Sequence, residues 1–261
     1  MPVGDLFGKR FPHTLKGLIL SIFGKPELHD HLRTAPLIKN FKQDPAMKSH
    51  DELSFLEIGC DYGLIGFELF KLNPKIKYFG FDLNKKSIED GNELAKIINA
   101  DNIKLYCSDA TKSWPKELIG QTFDYIILYD FLEHLNDPAS FLASLSTIRS
   151  EHTQFIISVP TKLYPKVFGR LFHIRVGHVM DGYSIEELEI LMATIGLVKV
   201  SHSFSTGLIS SIGCLLSYRL TFKMRPVEFL KKFVCYWFKF FDFCNSATTS
   251  CSIFAVFMPK Q

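Results

Sequence analysis

LSFLEIGCDYGLIG, residues 53–66, is the stretch on which the fold turns. Residues 53–58 form a short apolar run, the pattern of a buried strand, and residues 64–72 read as a helix. Only the turn Gly59-Cys60-Asp61-Tyr62-Gly63 separates them. Glycine takes positive-φ conformations at no steric cost and lets the backbone approach a ligand closely. Strand, glycine turn and helix make the opening unit of an open α/β sheet. In such sheets ligands lie beyond the carboxyl ends of the strands, where the strand order reverses.

The alternation continues downstream. Residues 76–81, 103–107, 123–129 and 154–159 read as strands; 85–99 and 138–148 read as the helices between them. A capping box, Ser184 with Glu187, opens a helix over 184–195. Strands over 197–204 and 252–258 complete the series. Strands alternating with helices predict a mostly parallel α/β sheet with right-handed crossovers. Residues 205–250 interrupt the rhythm and read as an insertion before the last strand. Upstream, residues 1–50 read as a separate helical cap. There 15–23 is a short apolar run stopped by Gly24-Lys25-Pro26, and 27–42 is one or two helices broken at Pro36.

Composition excludes several classes. Of 261 residues, 47% are hydrophobic and 22% charged, which rules out a disordered chain, a collagen-like chain and a coiled coil. A net charge of +3 lacks the basic footprint expected of a nucleic-acid protein. The six Cys form no C-x-x-C pair, against a zinc ribbon or thioredoxin motif. The expectation is free thiols in a reducing cytoplasm. No secretory signal is read at the start, and no run of 18 apolar residues predicts a spanning helix.

Acidic residues mark the strand ends. Asp82 closes Phe79-Gly80-Phe81-Asp82, about 20 positions after the glycine turn, where a carboxylate can take both ribose hydroxyls of an adenosine. Asp109 follows the third strand in Cys107-Ser108-Asp109-Ala110. The fourth strand leads into Asp130-Phe131-Leu132-Glu133-His134-Leu135-Asn136-Asp137-Pro138.

Taken in order, LEIGCDYG, FGFDLN, CSDA and FDYIILYDFLEHLNDP resemble the class I S-adenosylmethionine-dependent methyltransferases. The likeness covers residues 53–204 and the last strand. It implies a seven-stranded Rossmann-like sheet with its last strand antiparallel, helices on both faces, and S-adenosyl-L-methionine as cofactor. It implies a domain over 51–261, with 205–250 covering substrate, membrane or dimer. It places Glu57, Gly59, Cys60, Asp61 and Gly63 at the cofactor turn, Glu57 holding the methionine amino group through that turn. Asp82 is assigned to the ribose, Leu83 to packing on the adenine, Asp109 and Ala110 to the adenine edge, and Tyr129 to the cofactor site. Asp61 departs from the family, which commonly has glycine there. A side chain at that point is expected to crowd the turn, and its carboxylate to oppose that of the cofactor.

The cofactor brings its own electrophile, so the protein mainly positions an acceptor. A hydroxyl acceptor also needs its proton removed, or a metal to acidify it. Asp130, Glu133, His134 and His178 are the candidate catalytic residues. Asp130, Glu133 and His134 lie at i, i+3 and i+4 and can share one face of a helical turn. The first expectation is that His134 forms part of the site wall without a resident metal; a second reading makes His134 the general base. The alternative is a divalent-metal face with His178 as fourth ligand. That pattern resembles ubiquinone-pathway O-methyltransferases and small-RNA 2′-O-methyltransferases, which carry Glu where Asp130 stands.

Other clusters leave alternatives open. His29, His31 and Arg33 read as a polar helical cap or as contacts to a polar acceptor. Residues 160–182 hold Lys162, Lys166, Arg170, His173 and Arg175 with one acid, Asp181. They suit an anionic acceptor or form a solvated loop. Residues 226–244 interleave aromatics with Lys231, Lys232 and Lys239, as cover for core or homodimer, or as a peripheral membrane contact. The expected activity is O-methylation of a small-molecule, sugar or lipid-like acceptor by a cytoplasmic enzyme. The alternatives are a metal-dependent RNA 2′-O-methyltransferase and a cofactor-binding partner subunit without turnover.

Overall fold

The structure, a computed structural model, describes residues 9, 12–14, 18, 27–49, 51–220, 225–243 and 245–260. Of the apolar run at 15–23 only Leu18 is among them; Gly24-Lys25-Pro26 and Cys244 lie outside the described residues.

Two helices lead: α1 (Leu28–Gln43) and α2 (Pro45–Lys48). Then come β1 (Ser54–Ile58), α3 (Leu64–Leu72), β2 (Lys77–Asp82), α4 (Lys85–Ile97), β3 (Ile103–Cys107) and β4 (Phe123–Tyr129). After a 3-10 turn at Leu132–His134 follow α5 (Pro138–Ser144), β5 (Arg149–Pro160), α6 (Tyr164–Phe168), α7 (Arg170–Arg175) and α8 (Ile185–Ala193). The remaining elements are β6 (Leu197–Gly207), α9 (Leu208–Arg219), α10 (Arg225–Tyr236), a 3-10 turn at Trp237–Phe241 and β7 (Ser250–Pro259). The seven strands form one sheet in the order β3-β2-β1-β4-β5-β7-β6. β7 is antiparallel to both its neighbours; the pairings among β1 to β5 are parallel. Strand order therefore reverses between β1 and β4, as expected for a ligand crevice there.

Period-two alternation sorts the central strands into two cores. Phe55, Tyr125, Ile127 and Tyr129 face one side, with α1, α3 and α4. Leu56, Ile58, Ile126 and Leu128 face the other, with α5 and α8. Both faces are covered, which is why these strands read as continuous apolar runs rather than alternating ones. Local signals set the helix starts. Asn84 accepts from Ser87 N–H and Asp137 from Ser140 N–H, and the Ser184–Glu187 capping box is formed.

Two expectations change. Helix α1 is not broken at Pro36 but runs through it. Proline removes one helical hydrogen bond, yet Leu28 and Leu32 on one side, and Leu37 and Phe41 on the other, are buried and hold the helix in one piece. Phe41 packs edge-on against Phe55 and Tyr125, which stack on each other at 4.6 Å. The strand expected over 197–204 runs on to Gly207, so the insertion starts later; it is helical and joins the leader. Leu28 and Leu32 of α1 share a cluster with Phe168, Cys214 and Cys251, beyond the carboxyl end of β5.

Candidate active site

The β1–α3 turn is built by backbone conformation. Gly59, Asp61 and Gly63 all have positive φ, at 78°, 49° and 80°. A Cβ on Gly59 would sit 2.7 Å from the Phe131 ring, so side-chain bulk is excluded there. Gly59 N–H donates to the Phe81 carbonyl at 2.9 Å, which ties the turn to the end of β2. Asp61 N–H donates to Asp82 Oδ2 at 2.9 Å, and Asn84 N–H donates to Oδ1 at 2.8 Å. Two N–H groups thus fasten the Asp82 carboxylate, and its other lone pairs stay available for hydroxyl donors. The expected crowding at Asp61 is absent. Asp is among the few non-glycine residues that tolerate this left-handed region, and the side chain is exposed.

A cleft of about 490 Å³ opens beside this turn. Of the expected residues it is lined by Gly59, Asp82, Leu83, Asp109, Ala110, Asp130 and His134. Leu83 is 68% exposed at its wall, an apolar side chain presented to a ligand plane. Asp109 accepts from Thr111 N–H and Oγ1 and pairs with Lys112; these contacts hold its carboxyl down at about 2. Phe131, Leu135 and Asn136 also line the cleft. The sequence reading quoted them only as part of a motif; their place directly after a strand end is the signal that could have found them.

Glu57, Cys60, Asp61, Gly63 and Tyr129 lie outside the cleft lining. Glu57 is buried beneath the turn, where Tyr78 Oη donates to it. Burial raises its carboxyl to about 8. Tyr129 Oη donates to the Arg33 carbonyl, so this residue fastens the leader helix to β4.

Asp130 does not join Glu133, His134 and His178. Its φ of 49° ends the strand sharply, and residues 132–134 form a 3-10 turn, so the expected helical face does not exist. Asp130 Oδ2 instead pairs with Arg33 Nε at 2.7 Å, and Oδ1 accepts from Ser158 Oγ at 3.0 Å. Arg33 is therefore the leader residue that reaches the site. His29 and His31 pack edge-on against Tyr218 and Tyr236 of the insertion and do not line the cleft.

The remaining three do meet. Ligand atoms of Glu133, His134 and His178 lie within 4.8 Å of one another. His134 Nδ1 stands 3.0 Å from the Gly177 carbonyl, a contact that places the proton on Nδ1 and frees Nε2. His178 Nε2 is 3.9 Å from Glu133 Oε1, while its Nδ1 lies 3.2 Å from Nδ1 of the buried His173. Glu133 is 1% exposed, and its Oε2 has no hydrogen-bond partner. Burial pushes its carboxyl well above the usual range and lowers His178 to about 4. A neutral imidazole beside a buried, orphaned carboxyl oxygen is a donor set that fits a divalent cation. Burial opposes protonation of His178, so the free Nε2 of His134 is the nitrogen able to accept a proton.

Residues 49–176 match the model of a family described as a methyltransferase domain. Two curated relatives each align with about half of the chain. The mitochondrial ubiquinone biosynthesis O-methyltransferase of Arabidopsis thaliana is 27% identical over 124 residues, 47% of this chain and 37% of the relative. The ubiquinone biosynthesis O-methyltransferase of Pelagibacter ubique is 28% identical over 133 residues, 51% of this chain and 52% of the relative. The chain thus spans about half, or less, of the length of these relatives. Among solved structures, magnesium protoporphyrin IX methyltransferase from Synechocystis, with bound S-adenosylhomocysteine, superposes with a TM-score of 0.58. It covers 91% of this chain and 87% of that one at 13% identity, a likeness of fold.

Proposed function

We propose that the chain, whose residues 49–176 match a methyltransferase-domain family and whose sheet has the class I topology, is an S-adenosylmethionine-dependent methyltransferase that methylates an oxygen of a small-molecule acceptor. The observation that carries the reading is the pre-fastened Asp82 carboxylate in the lining of a cleft that His134 also lines. Asp82 accepts the ribose hydroxyls, Asp109 faces the adenine edge, and Leu83 lies under the ring. Bound there, S-adenosylmethionine supplies a methyl group on a sulfonium. The O-methyltransferase names of the two relatives support oxygen as the receiving atom.

The chain's own residues then orient and deprotonate the acceptor. Phe131 and Leu135 exclude water from the cleft wall, His134 lines the cleft, and the His178 ring stands 4.9 Å from that of His134. The Gly177 carbonyl holds the proton of His134 on Nδ1, so the free Nε2 of that ring, in the cleft lining, can take a hydroxyl proton. Glu133, His134 and His178 would hold a divalent cation, which would lower the pKa of a hydroxyl bound to it.

The experiment is calorimetric titration with S-adenosylhomocysteine, with Mg²⁺ and with a chelator, followed by turnover on hydroxyl acceptors. Saturable binding that Asp82→Ala weakens supports the reading. Absence of binding to the intact chain overturns it.

A further inference from the structure

The insertion helices are inside-out. Helix α9 buries Ser210, Ser211, Gly213 and Cys214 and turns Leu208, Ile209, Ile212 and Leu216 outward. A Cβ on Gly213 would lie 2.6 Å from Phe238, so small residues on the inner face let the 3-10 turn approach closely. Helix α10 repeats the inversion. Its inner face carries Lys231, whose ammonium donates to the carbonyls of Ser217 and Leu220 and so caps α9. Its outer face carries Val227, Leu230, Val234 and Trp237, spaced 3, 4 and 3 apart, one continuous apolar stripe. Phe240, Phe241 and Phe243 extend it.

The surface is continuous with α7. Phe172 stacks on Tyr218 at 5.5 Å, Arg219 donates to the Phe168 carbonyl, and Leu171 and Ile174 are exposed beside them. Of the 24 exposed large apolar side chains among the described residues, 17 fall in residues 160–182 and 208–243. These same segments hold ten of the 30 Lys and Arg but only three of the 27 Asp and Glu. The three acids are engaged within the fold: Asp181 with Arg170, Glu228 with Lys231, and Asp242 with Gly207 N–H and Ser210 Oγ. The rest of the chain is net acidic.

We infer that the outer face of α7, α9, α10 and the Trp237–Phe241 turn docks in the interface of a bilayer carrying anionic headgroups. Charge selects this occupant over a second copy, because a two-fold dimer would set a basic surface against itself. Of the described cations, Lys162, Arg170, Lys231 and Lys232 pair with acids, while Lys166, Arg175 and Arg219 are exposed and Lys239 partly so; apolar and aromatic side chains beside such exposed cations are the pattern of an interfacial contact. No helix of the described residues is long and apolar enough to cross a membrane, so the contact is peripheral. The surface meets the cleft mouth at His134, an exposed residue of its lining whose Nδ1 stands 3.0 Å from the Gly177 carbonyl, with Val176 and Val179 exposed on either side of that turn. A docked chain therefore presents that mouth to acceptors dissolved in the bilayer. This last step rests on the methyltransferase reading; the docking itself does not.

The test is co-sedimentation of the full chain with phosphatidylcholine–phosphatidylglycerol vesicles and with phosphatidylcholine vesicles. Binding is expected to the anionic vesicles and to weaken with salt. Leu230→Glu with Val234→Glu should weaken it about tenfold or more, and Ile209→Glu on the neighbouring helix should do so independently. Unchanged S-adenosylhomocysteine affinity and thermal unfolding would show these variants folded. A wild-type chain that stays in the supernatant overturns the inference. So does binding that the variants keep, or a dimer that the variants dissociate and that ignores vesicles. If no form binds S-adenosylhomocysteine, the methyltransferase reading fails while the vesicle result stands.

Discussion

Asp61 and Asp82 are joined by one hydrogen bond, from the backbone N–H of the first to Oδ2 of the second at 2.9 Å. The bond makes the glycine turn and the end of β2 a single unit, so the carboxylate is oriented before a nucleoside arrives. Asp82→Ala removes the acceptor and should cost about 1–3 kcal/mol of S-adenosylhomocysteine binding. Calorimetry checks this; unchanged affinity would mean that Asp82 does not touch the ribose.

At position 61 the contact with Asp82 uses the backbone, and the side chain points to solvent. Asp61→Gly should therefore leave cofactor affinity within about threefold, since the N–H remains and glycine adopts φ of 49° freely. Asp61→Val forces a β-branched residue into that region and should destabilise the fold by about 1–2 kcal/mol. A large gain in affinity for the glycine variant would restore the idea that Asp61 obstructs the site.

Glu57 gives a pH prediction. Its folded carboxyl titrates near 8, against an ordinary value of 4.5. Between those values the folded state holds a proton that the unfolded chain has lost, so stability falls as pH rises through the window. The limiting slope for one such group is about 1.4 kcal/mol per pH unit. The difference between wild type and Glu57→Gln in denaturant unfolding should carry this slope between pH 5 and about 8. A difference that is flat across that range would place the proton elsewhere.

Gly91 lies in α4 where a Cβ would stand 2.4 Å from Leu105 Cδ1 and 2.4 Å from the Tyr62 carbonyl. One of these neighbours is the backbone of the cofactor turn and cannot swing aside. Gly91→Ala should destabilise the chain by about 1–3 kcal/mol and weaken S-adenosylhomocysteine binding together. Loss of stability with full affinity would show that the turn moves independently of α4.

The Arg33–Asp130 pair links the leader to the strand end, both side chains being partly buried. Arg33→Ala should lower unfolding free energy by about 1–2 kcal/mol, between the values for exposed and buried pairs. It should also speed proteolysis within residues 27–49. A protease pattern identical to wild type would show that the ion pair is not what holds α1 in place.

The sheet was legible because its strands are short apolar runs bounded by turn signals, and Asp82 and Asp109 because the ends of such runs are readable. Other features depended on information that spacing does not carry. The i, i+3, i+4 rule put Asp130 beside Glu133 only if a helix followed, and a single left-handed residue removed that helix. Arg33 reaches Asp130 across almost a hundred residues, and Pro36 sits inside α1 because burial on both sides outweighs one lost hydrogen bond. The inversion of α9 and α10 was hidden because aromatic density alone does not say which face looks outward.

The position of β7 bears on how the chain is made. β5 needs β7 along one edge, β6 pairs with β7, and residues 161–249 lie between β5 and β7 in sequence. On the ribosome, the Phe155–Val159 edge therefore waits bare while that whole stretch is synthesised. An unpaired apolar edge invites pairing with other nascent chains, and closure over so long a loop is slow. Translation speed through the insertion, and chaperone supply while it emerges, should govern the yield of folded protein more strongly than any contact within the finished site.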